Sequence, residues 1–265
     1  MSFKLQILGT ASAMPISERN SSAQVLDVHG RLFLIDCGEG TQKRMRQMHL
    51  SMLKVEAIFI SHIHGDHIFG LFGLLSTMAM YNRLQSLHIF GPEALRPIIN
   101  FYLSFFADGN NYEIEFHEVK AKGLEEIFDN GKLKVSAFPL KHKIECYGYR
   151  FDEILSERQA LKRESSSFAY CSDTMAFPEL PEYVKGVKLL YHECTYTEEM
   201  AQKAIQYYHS TTKDAAECAL KAEVGKLILG HYSSRIRDIS IFEKECQEIF
   251  PNTVAADDCD VFEID

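Results

Sequence analysis

The feature that most constrains this chain is a strand-like run that ends in metal-ligating side chains. Val55-Glu-Ala-Ile-Phe-Ile60 is short, apolar and rich in strand formers. It runs straight into Ser61-His-Ile-His-Gly-Asp-His67. Imidazoles and a carboxylate at that density suit Zn²⁺, and also Mn²⁺ or Fe²⁺. On an extended backbone His62 and His64 point the same way, and a turn through Gly65 brings Asp66 and His67 round to a second centre. Ligands at a strand end belong to an α/β protein whose site lies at the carboxyl ends of its strands. Two adjacent metal centres are a device for activating water in hydrolysis.

The pattern recurs along the chain. Val135-Ser-Ala-Phe-Pro-Leu140 leads to His142, and Phe168-Ala-Tyr-Cys171 leads to Asp173. Lys188-Leu-Leu-Tyr191 leads to His192-Glu193, and Lys226-Leu-Ile-Leu-Gly230 leads to His231. One sheet edge can gather all of these. Between the last two runs lies His209-Ser-Thr-Thr-Lys-Asp214, where Thr211 and Asp214 predict a capping box. Ala215, Cys218, Ala219 and Ala222 then form a small-residue helix face. His209 stands just ahead of that helix, a position suited to anions.

The rest of the chain predicts a β-rich start, with strands over 3–8, 23–28 and 31–35 and a hairpin turn at His29-Gly30. Asp36-Cys-Gly-Glu-Gly40 ends the third strand, and helices are expected over 41–49 and 68–80. The second helix is apolar, but Gly, Ser and Thr interrupt it and it is too short to span a bilayer. The start of the chain lacks a signal peptide's charged and cleavable parts.

With 265 residues and 46% hydrophobic content the chain fills one α/β domain over 1–265. The net charge of −9 argues against broad, non-specific nucleic-acid binding but leaves room for a local basic patch. Seven cysteines, an odd number with no C-x-x-C pair, read as buried free thiols of a reducing cytoplasm.

These motifs resemble a known family. H-x-H-x-D-H at 62–67 is that of the metallo-β-lactamase superfamily, and within it the chain resembles ribonuclease Z, the tRNA 3′-processing endoribonuclease. The resemblance runs nearly end to end. It takes in Leu8-Gly-Thr with Pro15 and Arg19, Asp36-Cys-Gly-Glu-Gly-Thr-Gln42, the segment Ser61 to Leu71, Gly73-Leu-Leu-Ser76 and Gly91-Pro92. It continues through His142, Gly148-Tyr-Arg150, Ser172-Asp-Thr174, His192-Glu-Cys-Thr-Tyr196 (similar to the family's H-E-A-T-F), His209-Ser-Thr211 and Leu229-Gly-His-Tyr-Ser-Ser-Arg235.

The resemblance implies a metallo-β-lactamase αβ/βα four-layer sandwich of the α/β class, with two Zn²⁺ per chain. It implies that His62, His64 and His142 bind one metal, that Asp66, His67 and His231 bind the other, and that Asp173 bridges. Asp66 would also accept the proton of the attacking water, and His209 would face the phosphate. His192-Glu193 would order the ligands by hydrogen bonds. The implied partner is precursor tRNA, cleaved by a cytoplasmic homodimer that pairs through the helices flanking the metal cleft, without membrane attachment. Arg19, Lys43, Arg44, Arg46, Arg235 and Arg237 are the basic residues available to hold the tRNA, with Arg19, Arg44 and Arg235 nearest the cleft.

One part of the family pattern is missing. The family's tRNA-gripping arm lies between the residues matching His142 and Asp173, and here those two are 31 positions apart. The interval reads as a short helix or hairpin, contains no Gly or Pro after Arg150, and offers Arg158, Lys162 and Arg163 as its bases. A small-molecule phosphodiesterase or related metallo-hydrolase without a tRNA role is therefore the alternative reading.

Overall fold

The computed structural model describes residues 3–264. Met1, Ser2 and Asp265, the ends of the expected 1–265 domain, lie outside the described residues. The chain divides into two compact units, the first of residues 1–120 with 257–262, the second of 121–256 with 263–265.

The first unit is a sheet covered by helices. Its strands are β1 (Phe3–Gly9), β3 (Ala23–Val28), β4 (Arg31–Ile35), β5 (Val55–Phe59), β6 (Leu87–Gly91) and β7 (Ile114–Glu118), with the two-residue β2 (Ala11–Ser12) following β1. The C-terminal strand β16 (Val261–Glu263) completes the order β16-β1-β3-β4-β5-β6-β7. β1, β3 and β4 pair antiparallel, and β4 through β7 pair parallel. The turn between β3 and β4 forms where expected. His29 and Gly30 both take positive φ, 54° and 88°, as a two-residue hairpin turn requires, and Asp27 accepts the Gly30 N–H at 2.7 Å.

The helices of this unit are α1 (Thr41–Gln47), α2 (Gly65–Ile68), α3 (Leu71–Met80) and α4 (Leu95–Phe106). Strand residues alternate faces. Leu32, Leu34, Ile58, Ile60, Leu87 and Ile89 therefore share one core with Leu71, Leu74, Leu75 and Met78 of α3 and with Leu95, Ile99 and Tyr102 of α4. The single helix expected over 68–80 is in fact two. Gly70 interrupts it, its N–H donating to the Cys37 carbonyl at 2.9 Å. A Cβ at Gly70 would sit 2.1 Å from the Gly38 carbonyl oxygen, so the break lets the loop after β4 press against the helix. The helix expected over 41–49 stops at Gln47, and His49 is left-handed at φ 57°.

The second unit is built from β8 (Glu125–Asp129), β9 (Leu133–Pro139), β10 (Tyr147–Glu153), β11 (Ser167–Cys171), β12 (Leu189–Glu193), β13 (Lys226–Gly230) and β15 (Thr253–Ala255), with β14 (Tyr232–Ser233) just after β13. The sheet order is β15-β13-β12-β11-β10-β9-β8. β11, β12, β13 and β15 are parallel. β10 is antiparallel to both β9 and β11, so β9 runs in the same direction as β11. The carboxyl ends of β9, β11, β12 and β13 thus lie on one edge, as the strand-then-ligand pattern requires.

The helices here are α5 (Glu157–Ala160), α6 (Leu180–Tyr183), α7 (Ala201–Tyr207), α8 (Thr212–Lys221) and α9 (Ser240–Gln247). The predicted capping box forms, with Thr211 and Asp214 each capping the other's N–H. The small face of α8 (Ala215, Ala216, Ala219) lets the helix lie close against Leu190, Leu227 and Leu229, with Phe242 and Cys246 of α9 filling the flank. The interval expected to be a short helix or hairpin is both: α5 sits in the connection between antiparallel β10 and β11. Its Arg163 is not an available base. It forks onto Glu153 at 2.6 and 2.7 Å, and the same buried carboxylate accepts the Ser166 N–H at 3.0 Å.

Six of the seven cysteines are buried, Cys259 is exposed, and all seven are free thiols. Among the described residues no helix is long and apolar enough to cross a membrane.

Candidate metal centre

In the first unit the parallel strands β4 and β5, with Ile35 opposite Phe59, bring Asp36 beside Ser61, the residue before His62. Asp36 is fully buried and left-handed at φ 54°, a conformation rare outside glycine and held only when surroundings enforce it. Its surroundings do so. Asp36 accepts the Ser61 N–H at 2.7 Å, the Ser61 hydroxyl at 2.8 Å and the His67 Nδ1–H at 2.8 Å. Ser61 Oγ in turn lies 3.0 Å from His62 Nδ1.

A carboxylate can only accept, so His67 must carry its proton on Nδ1 and present a lone pair at Nε2. With Ser61 Oγ donating to Asp36, the same holds for His62. His62 Nε2 and His64 Nδ1 face each other at 2.9 Å, and His67 Nε2 lies 3.6 Å from Asp66 Oδ2. These are two pairs of donor atoms, one pair per expected metal. Asp66 Oδ2 also accepts the Ala13 N–H at 2.7 Å. Gly38 is required beneath this loop, since a Cβ there would come within 2.3 Å of the Asp66 carbonyl oxygen.

The second unit repeats the logic. His142 Nδ1 donates to the Tyr208 carbonyl at 3.0 Å, so Nε2 again offers a lone pair. The backbone around it is tied to the segment after β11: Lys141 N–H donates to Thr174 Oγ1 at 3.0 Å, and Met175 N–H donates to the Lys141 carbonyl at 2.9 Å. His231, left-handed at φ 61° just past β13, sets its Nδ1 3.0 Å from Thr195 Oγ1. Asp173 spreads its two oxygens between the two imidazoles. Oδ2 is 3.7 Å from His142 Nε2, and Oδ1 is 3.2 Å from His231 Nε2. The ligand atoms of Asp173, His209 and His231 all lie within 4.8 Å of one another.

His192 and Glu193 lie inside β12 rather than past it, and they part company. Glu193 is fully buried and organises the site. Its carboxylate accepts N–H groups of Thr174, Thr195 and Ser210 at 3.2, 2.9 and 3.0 Å, the Thr195 hydroxyl at 2.8 Å and His209 Nδ1 at 2.9 Å. Burial pushes its pKa up, but His209 and His231 outweigh that and hold it below the usual carboxylate range. His192 does not serve the ligands. Its Nδ1 donates to the Glu193 carbonyl at 2.7 Å, and burial lowers its pKa, so it is a neutral side chain behind the strand.

The expected tRNA contacts fare differently. Arg19 is buried. Arg44 is half-buried and paired with Asp258 at 2.8 Å, a carboxylate that also takes the Thr10 hydroxyl and the Asn20 N–H. Arg235, Lys43, Arg46 and Arg237 are exposed. Asp36, Ser61 and Thr195 carry no ligand pattern of their own. Their one signal is position: Asp36 directly follows β4, Ser61 directly precedes His62, and Thr195 comes just after the end of β12.

The donor set suits divalent metal. Four histidines (62, 67, 142 and 231) spend Nδ1 on a protein partner and keep Nε2, and His64 Nδ1 with the carboxylates of Asp66 and Asp173 supplies the remaining donors.

Comparisons with known proteins agree with this chemistry. The family model described as Anti-Pycsar protein Apyc1 matches residues 3–250. Ribonuclease Z of Parabacteroides distasonis is 36% identical, covering 97% of this chain and 97% of that protein. That alignment spans 295 positions against the 265 residues here, so part of the relative has no counterpart in this chain. The crystal structure of human tRNase Z, short form, superposes with a TM-score of 0.83 at 28% identity over 99% of both chains. YhfI of Bacillus subtilis, a metallo-β-lactamase fold protein, has a TM-score of 0.81 at 18% identity over 99% of this chain and 100% of that one, and shows the fold.

Proposed function

This chain belongs to the ribonuclease Z family of metallo-β-lactamase-fold hydrolases, and to the group defined by the Apyc1 family model, and from that premise we propose that it is a zinc-dependent endoribonuclease removing 3′ extensions from precursor tRNA. The two units act together as one hydrolase domain over 1–265. His62, His64 and His142 would hold one metal, Asp66, His67 and His231 would hold the other, and Asp173 would serve as a ligand to both. The observation that carries the dinuclear reading is Asp173 itself, whose two oxygens serve two different histidines. Two bound divalent ions would lower the pKa of a shared water and neutralise the charge of a phosphodiester.

The chain's own groups do the rest. Asp66 accepts the proton released by the attacking water. His209 is fixed by Glu193 through Nδ1, so Nε2 is the nitrogen that meets a phosphate oxygen, where its proton offsets the charge developing in the transition state. Glu193 holds that imidazole in place. Substrate grip falls to Arg235 and the exposed bases of the first unit, Lys43 and Arg46, because Arg44 and Arg163 are already paired.

The active form is a cytoplasmic homodimer. Supporting the dimer are the exposed rings of Phe101, Phe105 and Phe106, which touch one another on α4, with Met80 and Leu84 exposed at and after the end of α3. A small-molecule phosphodiesterase on the same residues is not favoured by the names of the relatives. Turnover of 3′-extended precursor tRNA and of bis-p-nitrophenyl phosphate, measured side by side on metal-replete protein, tests the assignment. Cleavage of the small diester without any cleavage of precursor tRNA refutes the tRNA role. One metal or fewer per chain at saturation refutes the dinuclear centre.

A further inference from the structure

The first unit holds a second group of ligand atoms that the proposed centre does not use. His88 lies on β6, and Glu115 and His117 lie two apart on the edge strand β7, so both face the same side as His88. The parallel register sets His88 opposite Glu115 and Phe90 opposite His117. His88 Nδ1 is 3.1 Å from His117 Nε2 and 3.4 Å from Glu115 Oε2, and the three ligand atoms fall within 4.8 Å of one another. The His117 ring is stacked on Phe90 with centroids 4.6 Å apart and planes 16° apart, which fixes its direction.

We propose that His88, Glu115 and His117 form a further binding site for a transition-metal dication of the Zn²⁺, Ni²⁺ or Cu²⁺ class. A tetrahedral ion with bonds of about 2.0–2.1 Å keeps its ligand atoms roughly 3.3–3.4 Å apart, close to the two separations His88 Nδ1 makes. Two imidazoles and a carboxylate are the ligand types such ions take, where Mg²⁺ or Ca²⁺ would call for oxygen alone. The donors sit on two hydrogen-bonded strands, so little ordering is required on binding. Three protein ligands leave a fourth position for water or an incoming group, and the bound ion fastens the outermost strand β7 to β6.

The test uses the full chain, stripped with chelator and titrated with Zn²⁺ against a chromophoric competitor. The His88→Asn, His117→Phe double variant keeps a ring on Phe90 and removes two ligands. It should bind one equivalent less than the unaltered chain while hydrolysing bis-p-nitrophenyl phosphate at an unchanged rate. Equal stoichiometry in the two proteins overturns the proposal. If the double variant fails to unfold cooperatively, Glu115→Gln decides: its weakest equivalent should loosen by about tenfold or more, as loss of a supporting group commonly causes, and unchanged affinity overturns the proposal. The readout is a difference between proteins, so it stands whatever number of ions the residues of the proposed centre take.

Discussion

Replacing Asp36 by Asn should disable the metal site through His67 directly, and through Ser61 it also loosens the tautomer of His62. The carboxylate now receives three hydrogens, from Ser61 N, Ser61 Oγ and His67 Nδ1, at 2.7, 2.8 and 2.8 Å. In the variant the amide oxygen keeps the Ser61 N–H, and the amide NH₂ replaces the oxygen that faces His67. A donor then meets a donor. The imidazole resolves the clash by moving its proton to Nε2, the nitrogen required for the metal. Loss of such an orienting partner lowers metal affinity about 10–100-fold, or about 1.4–2.7 kcal/mol. That agrees with the ~1.5–3 kcal/mol typical of a hydrogen bond to a charged group. Chelator competition measures the affinity, circular dichroism checks that the fold persists, and bis-p-nitrophenyl phosphate reports turnover at saturating Zn²⁺. Zinc affinity within twofold of the unaltered chain in a folded Asp36→Asn protein would falsify the tautomer argument.

Asp66→Ala should abolish phosphodiester hydrolysis, since Asp66 is proposed both to ligate and to accept the proton; residual turnover above about 1% of normal contradicts that double role. His209→Ala should cost about 2.7–4 kcal/mol of transition-state stabilisation with metal content near normal, and Glu193→Gln should lower turnover in the same direction; unimpaired turnover in the His209 variant removes it from the mechanism. Arg163→Ala strips the buried Glu153 of its main partner and should destabilise the fold by about 1–3 kcal/mol in urea titration. Lys162→Ala should leave both stability and precursor-tRNA processing nearly unchanged, and crippled processing in that variant would make the short connection a working tRNA contact. Burial pushes the Cys37 and Cys218 thiols from 9.0 up to about 12. A folded-state pKa raised above the unfolded value means their contribution is whole below pH 9 and drains away between 9 and 12. Each thiol should therefore lower stability by up to about 1.4 kcal/mol per pH unit over that window, and urea midpoints that stay level from pH 9 to 11 would exclude it.

The ligands were legible because each follows an apolar run, and an apolar run of five or six residues is a buried strand in either unit. Strand direction was not legible from any one run. It emerges from pairing, which puts β9, β11, β12 and β13 in one direction and β10 in the other. The division at Phe69-Gly70 is not legible in the sequence because hydrophobic periodicity carries no record of a close backbone approach, here Gly70 against Gly38. Arg44 and Arg163 read as free bases in sequence, since their partners Asp258 and Glu153 reach them only through tertiary folding. Asp36 was visible as a strand end but not as the acceptor for His67, thirty-one residues further on.

Glu193 also bears on how activity is acquired and lost. Its carboxylate fastens Thr174, 19 residues earlier, and Ser210, 17 residues later, to the end of β12. Those anchor points meet only after β11 and β12 have paired in parallel, a non-local event that is slow in chain folding. Hydrolytic competence should therefore arrive late in refolding, behind the recovery of secondary structure. On warming, release of this one buried carboxylate would free His209, His231 and the Asp173 segment together while both sheets persist. Enzyme assays would then record an inactivation temperature below the one seen by circular dichroism, and the gap between the two would measure how much weaker this knot of hydrogen bonds is than the sheet that carries it.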